Sequence, residues 1–255
     1  MQNPDLSEFK PEILTLDGPS AVGKGTLCRL VAEVISQSVG LENVRILDAG
    51  HTYRMLAYYF MMINHKTPEE LIDMGTTLPS FLEANISITF DGITYNLNGN
   101  NAQNLMLKTP EIDKVVARYS GIDDVKLHVV EAQKGFLRDA PNLWWILDGR
   151  CMGTAVAPDA LIKVYVDADP KIKAGWRHAQ YIHSGLSISA EDVYEELVRR
   201  DIQDRDTRKY PLARPDACFF IWSNKGTAKG NANLILDYIA SQLLLKGTRI
   251  NRLEN

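Results

Sequence analysis

The chain has 255 residues, 45 % of them apolar and 24 % charged, a balance that excludes an intrinsically disordered polymer or a small staple-dependent fold. Its 28 Lys and Arg face 32 Asp and Glu, a net charge of -4, so no global basic field draws it to nucleic acid or anionic lipid, and any positive site must be local. Cys28, Cys151 and Cys218 lie far apart with no CxxC pair, which argues against a zinc site and reads as free thiols in a reducing cytosol.

The opening MQNPDLSEFKPEI is acidic and lacks the basic-then-apolar order of a signal peptide. No apolar stretch reaches the roughly 20 residues of a membrane helix. The expectation is a soluble, cytoplasmic protein.

Five short apolar runs alternate with longer amphipathic segments: Ile13–Asp17, Val44–Asp48, 143–148, Ile162–Asp167 and 217–222. Short, largely apolar runs suit strands buried on both faces of a parallel sheet, and helices between them make βαβ units. Four of the five end in Asp, and ligands of open α/β sheets bind at the carboxyl ends of strands. In residues 25–38, Leu27, Leu30, Val31 and Val34 share one helical face. Further helices are expected over 53–63, 109–138 with a break near Gly121, Pro170–His183, 190–205 and 231–245. Residues 86–97 instead alternate around Asp91-Gly92 and read as a β-hairpin within an insertion between the second and third strands.

The first strand runs directly into Gly18-Pro-Ser-Ala-Val-Gly23-Lys24-Gly25-Thr26 and then into the amphipathic helix. This is the GxxxxGK pattern in its required setting. Backbone N–H groups over Gly18, Ser20, Ala21, Val22, Gly23, Lys24, Gly25 and Thr26 can wrap a polyphosphate at a helix N-terminus, and Lys24 can reach its β and γ phosphates. Gly25 follows Lys24 where a hydroxyl is usual, so Thr26 becomes the candidate Mg²⁺-side hydroxyl. Asp17, Asp48 and Asp148 stand at strand ends beside this loop, where a carboxylate can hold Mg²⁺ or its waters; capping or a structural ion pair is the alternative for each.

The sequence here resembles the bacterial cytidylate kinase family. LDGPSAVGKGTLCRL, LDAGHTYRMLA, LDGRCMGTAVAPDALIKVYVDA and RRDIQDRDTRKYPLARPDA are similar to family motifs, in order, from residue 16 to residue 217. The resemblance implies an α/β fold of P-loop NTPase type, three-layered, with a five-stranded parallel sheet, an inserted acceptor-binding lobe and a short helical lid. A single kinase domain follows, with core 12–65, 140–177 and 208–250, insertion about 66–139 and lid about 178–207. It further implies ATP and Mg²⁺ as cofactors, small-molecule substrates, a monomer, and transfer of the γ-phosphoryl of ATP to a nucleoside monophosphate, CMP or dCMP by default.

By the same resemblance Lys24, Arg150, Arg177 and Asp148 are catalytic, and Arg54, Arg150 and Arg200 grip the acceptor phosphate. Arginine suits that task because its planar fork matches phosphate oxygens. Asp48, Ala49, Ala117, Lys126, Cys151 and Asp204 line the acceptor, and Thr26 with Asp48 faces the metal. Lys173, Arg205 and Arg208 are further lid cations within reach of the transferring phosphoryl, and Asp148 is placed to orient Arg150.

Several positions depart from the family. Ala49 replaces a serine, Cys151 an aspartate, Ala117 a serine and Lys126 an arginine that contact the base, and Thr207 occupies another arginine position. His51 replaces a small residue. The phosphate grip is therefore kept while the base reader is changed. Loss of several polar pairings relaxes or redirects selection, which leaves open a kinase for a modified or non-cytosine nucleotide or a phosphorylated metabolite. A non-catalytic nucleotide-binding regulator is the reading from another class. Trp144 and Trp145 are expected in the core, and residues 224–230 near the adenine of ATP.

Overall fold

In the computed structural model, residues 6, 9–58, 85–89, 92–97, 100–102, 112, 115, 116 and 120–253 are described. Strands β1 (Ile13–Asp17), β2 (Val44–Asp48), β6 (Trp144–Gly149), β7 (Ile162–Asp167) and β8 (Phe219–Trp222) form one sheet in the order β2-β6-β1-β7-β8. Every pairing in it is parallel. The five apolar runs are thus the five core strands. The first connection leaves β1 toward β2 and a later one crosses to β7, so β1 sits where chain direction divides, the usual place for a ligand crevice.

Side chains alternate between two cores, as a period of two requires. From β1 and β6, Leu14, Leu16, Trp144 and Ile146 face a core closed by helix α1 (Lys24–Val39) and helix α6 (Ala228–Leu253). Trp145 and Leu147 face the opposite core with Val130, Met152 and Ala155. That side is covered by α3 (Asp123–Asp139) and by a π-helical turn at Met152–Val156. Each such buried aliphatic side chain contributes about 1.5–3 kcal/mol. The two tryptophans therefore serve packing, and Trp145 Nε1 also donates to the Ala140 carbonyl at 3.0 Å.

Helix α1 begins one residue before its expected start and buries Leu27, Val31 and Ile35. Helix α2 (Ala49–Tyr58) follows β2 without a loop, four residues earlier than expected; the rest of the expected span, 59–63, lies outside the described residues. The break near Gly121 is a turn at 120–121 ahead of α3. The hairpin is present as β3 (Asn85–Thr89) and β4 (Gly92–Leu97), antiparallel with Thr89 opposite Gly92. A third strand, β5 (Asn100–Ala102), pairs with β4 and was not expected. Its three polar and small residues carry no strand signal.

Helices α4 (Pro170–His183) and α5 (Ala190–Asp206) pack together on Ala174, Val193 and Leu197. Asp169 caps α4 by accepting from Lys171 and Ile172 N–H, and Ser189 caps α5 by accepting from Asp192 N–H. Buried Lys173 in the first turn of α4 pairs with Asp201 on α5, tying the two helices together. Among the described residues, no helix is long and apolar enough to cross a membrane.

The loop after β1 lies hard against β7. A Cβ on Gly18 would sit 2.0 Å from the Val166 carbonyl oxygen, and its φ is +152°. Gly18→Ala should therefore cost about 3 kcal/mol of stability, read as a lowered urea midpoint with an unchanged m-value.

Candidate active site

The carboxyl ends of the strands open into one cavity of about 570 Å³. Ser20, Ala21, Val22, Gly23, Lys24, Gly25 and Thr26 form its floor. Two loop residues take left-handed backbone, Gly23 at φ +89° and Ala21 at φ +61°. Glycine adopts this freely, but alanine does so at a cost that functional loops tolerate. Gly18, expected to touch ligand, is not part of the cavity wall; its role is the close approach to β7.

Lys24 is buried and donates to the loop's own carbonyls, Gly18 at 3.0 Å and Pro19 at 2.8 Å, with Asp148 at 3.9 Å. Burial and the nearby Arg150 guanidinium pull its pKa down to about 8, against the attraction of Asp148 and Asp17. Burial likewise pushes Asp148 up to about 6, against the pull of Lys24. Asp17 is also raised to about 6 by burial, although its two oxygens accept from Met152 and Gly153 N–H at 2.7 Å each. Asp17 is thus a structural clasp between β1 and the turn carrying Arg150 and Cys151, and not a metal ligand.

Arg150 is held from both sides. Its Nε donates to Asp204 at 2.8 Å and a terminal nitrogen donates to Ser20 Oγ at 2.7 Å. Asp204, not Asp148, is therefore the carboxylate that orients it. Arg54 of α2, Arg177 of α4 and Arg200 of α5 line the same cavity, as does Arg29 of α1. Burial lowers the Arg200 pKa, and repulsion from Arg150, Arg177 and Arg54 lowers it further, against the pull of Asp204. Guanidiniums from four separate elements thus share one electrostatic neighbourhood, the arrangement a phosphate group neutralises.

The other cations expected near the transferring phosphoryl stand elsewhere. Lys173 is buried against Asp201, Arg208 is 93 % exposed and 3.9 Å from Asp123, and Arg205 interacts with Tyr165. None of the three belongs to the cavity wall. His51 also lies off it: its Nδ1 is 2.8 Å from Asp48, which makes it a partner of that carboxylate and not a contact for the acceptor.

Opposite the loop, Ala49, Tyr53, Val116, Ser120, Lys126, Val130, Gln133 and Cys151 surround the far end. Ala117 lies outside the described residues. Lys126 Nζ donates to Thr207 Oγ1 at 2.7 Å and to the Tyr210 carbonyl at 3.3 Å, so two positions that depart from the family meet each other. Burial lowers the Lys126 pKa and raises that of Cys151 to about 12, which keeps the thiol neutral. Tyr53 lies within the LDAGHTYRMLA motif but is not singled out by it, and Gln133 is brought here only by the fold.

Oxygen donors suited to a hard cation are present: the Thr26 hydroxyl and the Asp148 carboxylate both line the cavity. Asp48 lines it too, but its oxygens accept from Gly50 N–H at 2.8 Å and meet His51 at 2.8 Å. Burial pushes Asp48 up, yet the His51 and backbone hydrogen bonds outweigh this and hold it below the ordinary carboxylate range. Asp148, only loosely paired, is thus the better oxygen donor of the two. Among the described residues, no group of three His, Cys, Asp or Glu side chains can by itself hold a metal.

A glycine-rich loop between β1 and a helix, a buried lysine in it and converging arginines define a P-loop phosphotransferase. The sequence profile described as cytidylate kinase matches residues 14–241, and the chain belongs to the cytidylate kinase family. It is similar to the cytidylate kinase of Citrobacter koseri, 30 % identical over 233 residues that span 91 % of this chain and 97 % of the relative. The enzymes of Erwinia tasmaniensis and Salmonella arizonae match over the same shares at 29 % and 30 % identity. Membership makes the protein a nucleoside monophosphate kinase with ATP as the phosphoryl donor.

Raised carboxyl pKa values carry a sign. Between about pH 4 and 6 the folded protein holds protons on Asp148 and Asp17 that the unfolded chain has released, so stability falls as pH rises through that window. Asp148→Asn should flatten this fall while abolishing most turnover, as read by urea melts at pH 4.5 and 7 beside an activity assay.

Proposed function

We propose that the enzyme transfers the γ-phosphoryl of Mg²⁺-bound ATP to the phosphate of CMP or dCMP, giving the diphosphate and ADP. The observation that carries this reading is the gathering of Arg54, Arg150, Arg177 and Arg200 around one cavity with Lys24 at its floor. In this reading the loop N–H groups and Lys24 hold the donor phosphates, and Arg54, Arg150 and Arg200 hold the acceptor phosphate. An acceptor oxygen attacks the γ phosphorus as its bond to the ADP oxygen breaks. Arg177, on α4, neutralises charge on the group in flight. Such a reaction asks for positioning and charge more than for covalent chemistry.

Mg²⁺ supplies further positive charge to the phosphates when bound, and Thr26 and Asp148 are the residues that would hold it or its waters. Residues 178–207 act as the lid and the insertion of about 66–139 receives the acceptor. The Arg150–Asp204 and Asp201–Ser20 bonds, the latter 3.2 Å to the backbone N–H, supply the means for lid helix α5 to grip the loop. Closure of this kind excludes water, which would otherwise compete for the phosphoryl group.

A second reading is favoured by a specific observation. Cys151 is a neutral thiol, Ala49 has no polar atom beyond its backbone, and Lys126 spends two of its three protons on Thr207 and Tyr210. This set favours an acceptor other than a cytosine nucleotide, carried by the same phosphate grip.

ADP release measured with CMP, dCMP, UMP, AMP, GMP and cytosine-modified monophosphates separates the two. Preference for CMP or dCMP supports the first reading; turnover on another monophosphate with poor CMP use supports the second; silence on all of them overturns the first and favours a non-nucleotide acceptor or a nucleotide-binding regulator. On whichever acceptor works best, Lys24→Ala should lower kcat by about a thousandfold, with acceptor KM changed far less. Near wild-type kcat would remove Lys24 from the chemistry.

A further inference from the structure

The chain that leaves α5 is fastened to the first turn of α3. Lys126 Nζ donates to Thr207 Oγ1 at 2.7 Å and to the Tyr210 carbonyl at 3.3 Å. Lys209 N–H donates to Asp123 Oδ1 at 3.2 Å, and Arg208 lies 3.9 Å from the same carboxylate. These hydrogen bonds join residues 81 to 86 positions apart. Lys126 is buried, and a buried ammonium is costly unless its protons find acceptors. Tyr210, which supplies one of them, holds left-handed backbone at φ +48°, a strained state that surrounding contacts must maintain. Its side chain packs on the core that contains Ala49 and Cys151.

The fastening reaches the arginine cluster through Asp204. Thr207 is the C-cap of α5, and the Asp204 carbonyl accepts from Leu212 N–H at 2.7 Å and lies 3.5 Å from Thr207 Oγ1. The Asp204 side chain meanwhile accepts from Arg150 Nε at 2.8 Å, and Arg150 donates onward to Ser20. Asp204 is thus held by its backbone on one side and holds Arg150 with its carboxylate on the other. Lys126 and Thr207 both stand where the family motifs carry arginine. Two guanidiniums offer each other no acceptor, whereas an ammonium and a hydroxyl bond directly. The two departures therefore act as one change.

We propose that Lys126 and Thr207 are a positioning pair for the acceptor phosphate: their bond pins the last turn of α5 to α3, and so keeps Asp204, and through it Arg150, in place before the acceptor arrives. The proposal rests on the kinase reading and goes beyond it. It takes Lys126 from base selection, for which two of its three protons are already spent, and gives it to the phosphate grip. Its effect is then the same for every base.

Steady-state kinetics and amide exchange test it. Thr207→Val and Lys126→Met should each raise acceptor KM by about tenfold on every monophosphate turned over, with kcat within about threefold and the KM for ATP unchanged, because an interaction made equally before and during transfer is lost. The double variant should be no worse than the more affected single, since both substitutions remove one bond. Thr207→Ser, which keeps the hydroxyl, should retain the wild-type KM. In the free protein, exchange of the Leu212 amide, read by NMR, should quicken in Thr207→Val and Lys126→Met. A wild-type acceptor KM in Thr207→Val, a raised one in Thr207→Ser, additive effects in the double variant, a KM for ATP that rises in step, or unchanged Leu212 exchange would each overturn the pair. So would a shift in preference among bases in Lys126→Met that Thr207→Val lacks, which would return Lys126 to base reading. Failure of the kinase reading is a separate result: the wild type would turn over no monophosphate, while the pair would still show itself in Leu212 exchange.

Discussion

Arg150 is the point at which three parts of the molecule meet. It leaves the end of β6, donates to Ser20 in the phosphate loop and to Asp204 in helix α5, and is itself carried on a turn that Asp17 clasps to β1. Remove that guanidinium and the loop, helix α5 and the sheet lose their common partner. Asp201 adds a parallel link, joining Ser20 N–H to the buried Lys173. Buried charge pairs are weak sources of net stability but costly to break, so their value here lies in fixing geometry.

That geometry stores an electrostatic debt. Lys24, Asp148 and Asp17 sit where burial disfavours charge, and each pKa is displaced toward neutrality. Arg200 is crowded by three other guanidiniums. A protein of net charge -4 thus keeps a local cluster of cations. A bound polyphosphate relieves the repulsion, and because the groups are already in position little reorganisation is needed at the moment of transfer.

The far end of the cavity is built differently. Its walls are mostly apolar or neutral, and its one lysine is engaged by Thr207 and by a backbone carbonyl. The arginines and this end of the cavity are therefore made by different residues, although α2 and the turn after β6 contribute to both. The departures at Ala49, Lys126 and Cys151 leave the arginine cluster intact.

Much of this was legible in the residues. The five apolar runs became the five strands because a parallel sheet buried on both faces draws largely apolar residues to both. The glycine-rich loop was readable because its spacing, between strand and helix, serves one local backbone conformation. The arginines were legible only as motif members, and the third hairpin strand, with residues Asn100–Ala102, was not legible at all. What the sequence by itself determined was whatever depends on neighbours along the chain: strand, loop, helix, and the kinds of charge available. Tertiary structure alone decided that Asp204 and not Asp148 holds Arg150, that Lys173 and Arg208 stay away from the cavity, and that Trp176 and Ser223 both line it. These are contacts between residues far apart in the chain, and their partners are chosen by how helices pack on the sheet, a choice no local spacing encodes.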